Sequence, residues 1–280
     1  MSDLQVRRIP FEFEGVDFIW NPRNPAFSVM MNTISFLAIG LEKYFCRAMS
    51  DADAVIRDPE VLEEARLFKV QEAIHSQAHQ KHVGALIARY PGLQDAVDKC
   101  VSAYDALYEA RDLRFHLAYA GGLEATFTPT FRTIIDHRDI LFGGGNARVA
   151  SLFLWHFCEE IEHRSSAITV FNHVVGSHIY RLRNVRACYR HSTGVGKMLR
   201  EEFKKHVPGV PPEAYADKPL NQVPKADQRH ILFGILASQL PWYDHERQRL
   251  PAYYAEWRDR YERGEDMTLI YGEHPTGLAA

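Results

Sequence analysis

Two short stretches, Glu72-Ala-Ile-His75 and Glu160-Ile-Glu-His163, share the pattern Glu-x-x-His, and each follows a lone glutamate, Glu42 and Glu124, set in uncharged sequence. A helix turns about 100° per residue, so positions three apart share a face and stand about 4.5 Å apart along the axis. That is close enough for a carboxylate and an imidazole to meet one cation. A bundle that takes one glutamate from each of two helices and Glu-x-x-His from each of the other two can hold two adjacent metal ions. The pattern therefore predicts an all-α fold, a four-helix bundle built around a dinuclear metal centre.

The lone glutamates strengthen this reading. Glu42 follows the uncharged run from Ser28 to Leu41, and Glu124 is the one charge between Leu117 and Phe131. A carboxylate in apolar company must be paired, protonated or metal-bound, because an isolated buried charge is costly. Metal binding accounts for both at once. A single Glu-x-x-His is read most simply as a solvated helix face, whereas two copies, each with its upstream glutamate, are not.

Helical phase sorts the crowded segment Trp155-His-Phe-Cys-Glu-Glu-Ile-Glu-His-Arg164. With Glu160 at zero, His163 falls at about 300°, His156 at about 320°, Glu159 at about 260° and Glu162 at about 200°. Glu160 repeats the spacing of Glu72 to His75 and is the preferred ligand. Glu159 is a candidate for holding a ligand from behind, and Glu162 reads as solvated or ion-paired. His156, one turn before Glu160, reads as a third imidazole ligand. His79, one turn after His75, is either a further ligand or a cavity-lining imidazole, and His82 drifts off the stripe. The candidate metal ligands are thus Glu42, Glu72, His75, Glu124, Glu160, His163, His156 and His79, with no catalytic residue beyond them. The other histidines, His206 among them, show no ligand spacing.

The rest of the chain permits such a centre. Its 280 residues, 46% hydrophobic and 25% charged, suffice for one substantial core. A single domain over 1–280 is expected, with the bundle in 26–180 and a helical extension in 181–280. A net charge of −3 leaves no nucleic-acid footprint. No uninterrupted apolar run approaches a bilayer span, and the amino-terminal residues lack the apolar core of a leader. Cys46, Cys100, Cys158 and Cys188 are scattered without Cys-x-x-Cys, as expected of free thiols in a cytoplasmic protein.

Residues 9–19 read as an extended segment. Helices are expected over 26–49, 59–90, 93–111, 112–140 and, after the cap Asn146, to about 180; Glu124 lies on the fourth. A basic amphipathic helix follows over 183–206, then a helix or pair over 225–262 around Pro241. The aromatic residues Trp242, Tyr243, Tyr253, Tyr254, Trp257 and Tyr261 are expected to pack over the bundle.

The stretches Gly40-Leu-Glu42-Lys-Tyr-Phe45, Phe68-Lys-Val-Gln-Glu72-Ala-Ile-His75-Ser-Gln-Ala-His79 and Trp155-His156-Phe-Cys-Glu159-Glu160-Ile-Glu162-His163-Arg resemble the bacterial proteins labelled predicted metal-dependent hydrolases. The resemblance runs from the Phe11-Glu-Phe13 segment through the helix with His163 and implies a ferritin-like bundle. More locally, His156-x-x-x-Glu160-x-x-His163 is similar to the last ligand helix of the di-iron aryl-amine N-oxygenases, which implies an additional histidine ligand.

Four carboxylates carry a charge that two divalent ions neutralise, and an oxygen-rich set with a few imidazoles suits iron, or manganese. The function expected on this basis is a di-iron oxidoreductase that activates dioxygen on a small hydrophobic or aromatic substrate. Without a Gly-x-Gly-x-x-Gly fingerprint, its electrons would come from an external donor. The alternative is a dinuclear hydrolase using a bridging hydroxide, and a second alternative is a non-catalytic metal-storage or sensing bundle. Assembly as a homodimer is compatible with either.

Overall fold

The computed structural model describes residues 4–216 and 218–271; Met1–Asp3, part of the stretch read for a leader, and 272–280, the end of the expected domain, lie outside it. The described residues form helices and no strand. Residues 9–19, expected to be extended, lie outside any helix or strand and bend at Glu14–Gly15, where Gly15 has φ +63°, and again at Phe18–Ile19. Phe11, Phe13, Val16 and Phe18 are buried while Glu12, Glu14 and Asp17 are exposed, the alternation of an extended chain laid on a helical surface.

Two long helices follow. α1 (Pro25–Asp53) starts at Asn24, whose Oδ1 accepts from the Phe27 backbone N–H, and α2 (Pro59–Arg89) starts at Asp58, whose carboxylate accepts from Glu60. Both carry proline in the first turn, where the missing N–H costs nothing. α3 (Gln94–Glu109) crosses back outside α1. By length and composition alone α1 is apolar enough to cross a membrane, although no continuous apolar run within it reaches that length. Ser, Thr, Asn and Gly interrupt its apolar runs without lowering the average enough, and 67% of its most apolar stretch is buried inside the protein.

The expected helix over 112–140 is in fact three, α4 (Leu113–Glu124), α5 (Phe127–Asp136) and the single turn α6 (Arg138–Leu141). Pro129 supplies the reason: it has no N–H for the Ala125 carbonyl and its ring crowds that position. Thr126 then turns the chain, its hydroxyl donating to the Leu123 carbonyl at 2.7 Å. The expected helix from 146 to 180 is likewise split into α7 (Ala147–Glu162) and α8 (Ser166–Val174). Here Arg164 donates to the Ile161 carbonyl at 2.7 Å and Ser166 to buried Glu64 at 2.5 Å, side-chain bonds that compete with helix continuation.

These breaks leave a four-membered bundle. α1 packs on α2, α2 on α7 and α8, and α1 on α4; α4 pairs with α8 and α5 with α7, so the two broken helices run side by side. α9 (His178–His206) covers α1, α3 and α4, while α10 (Lys225–Ser238) and α11 (Ala252–Glu262) lie against α5. Trp257 and Tyr253 are buried as expected of the carboxy-terminal aromatic residues, but Trp242 stands 78% exposed beyond the end of α10.

α1 and α3 meet closely at Gly40, where an added Cβ would lie 2.8 Å from the Tyr104 ring and 3.3 Å from the Cys100 carbonyl oxygen. Gly84, in the exposed interior of α2, has nothing within 4 Å. One substitution therefore has opposite outcomes at the two sites. Gly84→Ala should stabilise by about 0.5–1 kcal/mol through the lower chain entropy of the unfolded state, and Gly40→Ala should destabilise by about 1–3 kcal/mol through overpacking. Urea unfolding measures both; equal shifts of the same sign would mean that α1 and α3 do not meet this closely.

Candidate metal centre

The four helices that form the bundle bring six of the candidate residues to one buried place. Glu42 comes from the interior of α1, Glu72 and His75 from α2, Glu124 from the last residue of α4, Glu160 from α7, and His163 from the residue that ends α7. All are at most 3% exposed. One oxygen of Glu160 is shared: Oε1 lies 2.8 Å from His156 Nε2 and 3.6 Å from both His75 Nδ1 and His163 Nε2. His163 also approaches Glu72 Oε1 and Glu124 Oε2, each at 3.3 Å.

The donor atoms that converge here lack partners. Glu42 Oε2, Glu72 Oε1, His75 Nδ1, both oxygens of Glu124, Glu160 Oε2 and both nitrogens of His163 are buried without a hydrogen bond. Buried polar groups are otherwise nearly always satisfied, and each exception costs about 1–3 kcal/mol. Glu72, His75, Glu160 and His163 offer ligand atoms within 4.8 Å of one another, and so do Glu42, His79 and His156. The residues present thus fit a metal centre, with Glu160 between the two groups of donors.

His156 sits where its phase placed it, its Nε2 also 3.5 Å from Glu42 Oε1. His79 lies behind it. One direction of donation satisfies the chain: His82 Nδ1–H to Ser35 Oγ at 2.9 Å, Ser35 Oγ–H to His79 Nδ1 at 2.8 Å, His79 Nε2–H to His156 Nδ1 at 2.8 Å, and His156 Nε2–H to Glu160. His82, read as off the stripe, is therefore part of a buried network.

A second set of side chains, with Glu159 where its helical phase placed it, fixes the first. His75 Nε2–H donates to Glu159 Oε2 at 2.9 Å, which turns the Nδ1 lone pair toward Glu160. Glu159 in turn accepts from Arg7 Nη1 at 3.2 Å, and Arg7 donates both Nη1 and Nη2 to Glu162 at 2.8 Å. Glu162 is ion-paired, as one of the two expected readings had it, but it is buried rather than solvated, and Tyr254 donates to it at 2.5 Å. The guanidinium also packs on the faces of Trp257 and Tyr261. Arg7 lies in an irregular arm 152 residues from Glu159, so nothing local in the sequence announces it.

The third group of close donors, Asp95, Glu202 and His206, lies at the surface on α3 and α9. Lys99 and Lys205 already bridge to it, which makes it an ion-pair cluster.

Charge crowding sets the protonation of the centre. Burial, then the Glu72 charge, pushes Glu42 well above the usual carboxylate range; burial, then Glu160, does the same to Glu72 and Glu124. Burial also raises Glu160, but His163, His156 and His75 outweigh it and hold that carboxyl below its usual range. Burial lowers His75, yet its bond to Glu159 and the nearby Glu160 carboxylate outweigh this and raise it. His79 is lowered by burial and then by His156; His156 is held down at about 4 by burial and then by His75, and His82 at about 3 by burial.

These directions fix a sign. Glu42, Glu72, Glu124 and His75 bind protons more tightly folded than unfolded, so their contribution to stability is lost as pH rises. His79, His82 and His156 have the opposite sign, but above the ordinary histidine value of 6.5 they are neutral in both states and contribute no slope. From about pH 7 to about pH 8.5 the metal-free protein should therefore lose stability with rising pH. Added divalent metal should raise its melting temperature more at the upper end, where protons compete less. A metal-free melting temperature that climbs over this range would contradict the assignment. Arg7→Ala should cost about 3–5 kcal/mol in urea unfolding, because it strands two buried carboxylates. A change below about 1 kcal/mol would show that Glu159 and Glu162 need no cation.

No curated protein and no solved structure gives a significant match to this chain. Residues 5–212 match the family model described as predicted metal-dependent hydrolase, a span that runs from the amino-terminal arm through the bundle and past the end of α9. This overturns the expected dioxygen-activating oxidoreductase in favour of its hydrolase alternative: the same carboxylate and imidazole set serves either chemistry, so ligand spacing could not separate them. Over 5–212 of its 280 residues the chain follows one family throughout, and it belongs to the predicted metal-dependent hydrolases.

Proposed function

We propose that Glu42, Glu72, His75, Glu124, Glu160 and His163, joined by His156, hold two divalent ions, of iron or manganese, and that the protein is a hydrolase. The observation that carries this reading is the convergence of unpartnered donor atoms from all six core residues in one buried place. Bound there, two such ions would supply Lewis-acid polarisation and activation of water at neutral pH. Every other contribution comes from the chain. Glu160, with three imidazoles around one oxygen, is placed to span the two groups of donors. Glu159 holds the His75 ring in one orientation, and Arg7 fixes Glu159 and Glu162 in place through ion pairs with both. With an ion at His156 Nε2 the proton of that ring would sit on Nδ1, so donation along the chain would run the other way, from His156 Nδ1–H to His79 Nε2 and on through Ser35 to His82, and His79 would orient the ring as its acceptor.

Metal analysis and a hydrolysis screen test this together. The loaded protein should carry two ions per chain, fewer in Glu72→Ala and Glu160→Ala, and should cleave one class of ester at the same rate with and without dioxygen. Glu159→Gln, which keeps the shape but weakens the grip on His75, should lower metal affinity roughly 10–100-fold. Full occupancy in both alanine variants would place the metal elsewhere, and a fully loaded protein inert toward carboxylic, phosphoric and sulfuric esters alike would remove the hydrolase assignment.

A further inference from the structure

A cavity of about 200 Å³ reaches the candidate centre from between α1 and α5. Its floor is Glu42, Glu72, His156 and Glu160; its walls are buried Ala38, Leu41, Phe45 and Phe131; its mouth is formed by half-buried Ile34, Leu37, Phe127 and Thr130. The polar side chains above the floor are two threonines, and both have spent their protons: Thr126 Oγ1 donates to the Leu123 carbonyl and Thr130 Oγ1 to the Thr126 carbonyl. No lysine or arginine lines the cavity.

This lining discriminates between classes of substrate. A charged group lodged along the walls would meet no cation and no free donor, whatever ions the carboxylate floor holds, and would pay its desolvation unrepaid. An apolar group gains by leaving water there. The space is smaller than the ~300–1,000 Å³ of pockets for drug-sized ligands, and at the ~30 Å³ that one water occupies in the liquid it takes about seven atoms of that size.

We propose that the substrates are uncharged carboxylic esters whose acyl group is apolar and about six or seven carbons long, with the chain along α1 and α5 and the ester carbonyl at the carboxylate floor. The inference rests on the hydrolase reading and adds the substrate class to it. The reaction balances with water alone: the hydroxyl of a water joins the acyl carbon, the bond to the alkoxy oxygen breaks, and the remaining proton ends on that oxygen, giving acid and alcohol. Length selection comes from the depth between floor and mouth, with Thr130 and Phe127 as the residues that set it.

Two readouts separate this inference from the reading beneath it. Hexan-2-one, an uncharged carbonyl compound of the right size, should bind the metal-free protein by NMR shift perturbation, and hexanoate should bind more weakly. Thr130→Trp, at the half-exposed mouth, and Ala38→Phe, in the wall, should each abolish hexan-2-one binding; the first keeps the test open should the second fail to fold. With the metal-loaded protein, cleavage of 4-nitrophenyl esters should rise from acetyl to hexanoyl and then fall, with no cleavage of 4-nitrophenyl phosphate. Thr130→Trp should lower the hexanoyl rate at least about tenfold relative to acetyl, the scale on which a pocket reads one or two methylenes. Hexanoate binding as tightly as hexan-2-one, or hexan-2-one binding unchanged in Thr130→Trp, would overturn the inference. Preferred cleavage of the phosphate would overturn it while leaving the hydrolase standing. Binding of hexan-2-one with no ester cleaved by the loaded protein would overturn the hydrolase, and the ester with it.

Discussion

Four glutamates face one another in the interior of this protein with no lysine or arginine among them, and the rest of the molecule is arranged around that fact. Packing Glu42, Glu72, Glu124 and Glu160 together raises three of the four carboxyls, because each charge is desolvated and repels the others. The imidazoles of His75, His156 and His163 lower the fourth. A fold that needed only stability would fill this space with leucine, since buried charge is a poor way to hold a core together. The cost makes sense for a centre whose cations arrive from outside, and it explains why so many donor atoms here are without partners.

The surrounding bundle meets this constraint by ending helices at the centre. α4 stops on Glu124 and α7 stops just short of His163, and each helix resumes a few residues later as α5 and α8. The last residues of a helix have freer backbones than its interior, so these two side chains can be aimed more independently than Glu42, Glu72 and His75, which are fixed by the phase of long helices. The break at Thr126 also carries α5 away from the axis, and α5 supplies one wall of the apolar cavity that reaches the carboxylate floor. The placement of Glu124 and the cavity beside the candidate centre therefore share a cause, the proline at position 129.

A second layer of charge keeps the first in register. Arg7 is clamped between Glu159 and Glu162, capped by the ring faces of Trp257 and Tyr261, and Tyr254 adds a donor to Glu162. The amino-terminal arm and α11 thus meet behind His75, whose ring is held by Glu159, the partner of Arg7. The amino-terminal arm and α11, which have no ligand of their own, become part of how the centre is built. The basic amphipathic α9 plays a different part, closing the outer side of α1, α3 and α4.

The sequence by itself determined what is local and periodic. Two Glu-x-x-His pairs at the helical period, two glutamates in uncharged runs, and the Asn-Pro and Asp-Pro starts of α1 and α2 announce a helical bundle with an acidic centre, because each signal lies within a turn or two of chain. His156 and Glu159 were legible for the same reason: one phase angle put the first beside Glu160 and the second behind it. Pro129 was present to be read, and its effect on the 112–140 helix was a local rule left unused. Tertiary structure alone decided the rest. Arg7 finds its carboxylates across 152 residues, His79 finds Ser35 and His156 from another helix, and the cavity exists only where α1 and α5 come together. Ligand spacing fixed where metal can sit but left open which reaction follows, since the geometry of donors is common to oxidation and hydrolysis, whereas the space beside them, which selects what can approach, is made by chain segments that meet only in the folded state.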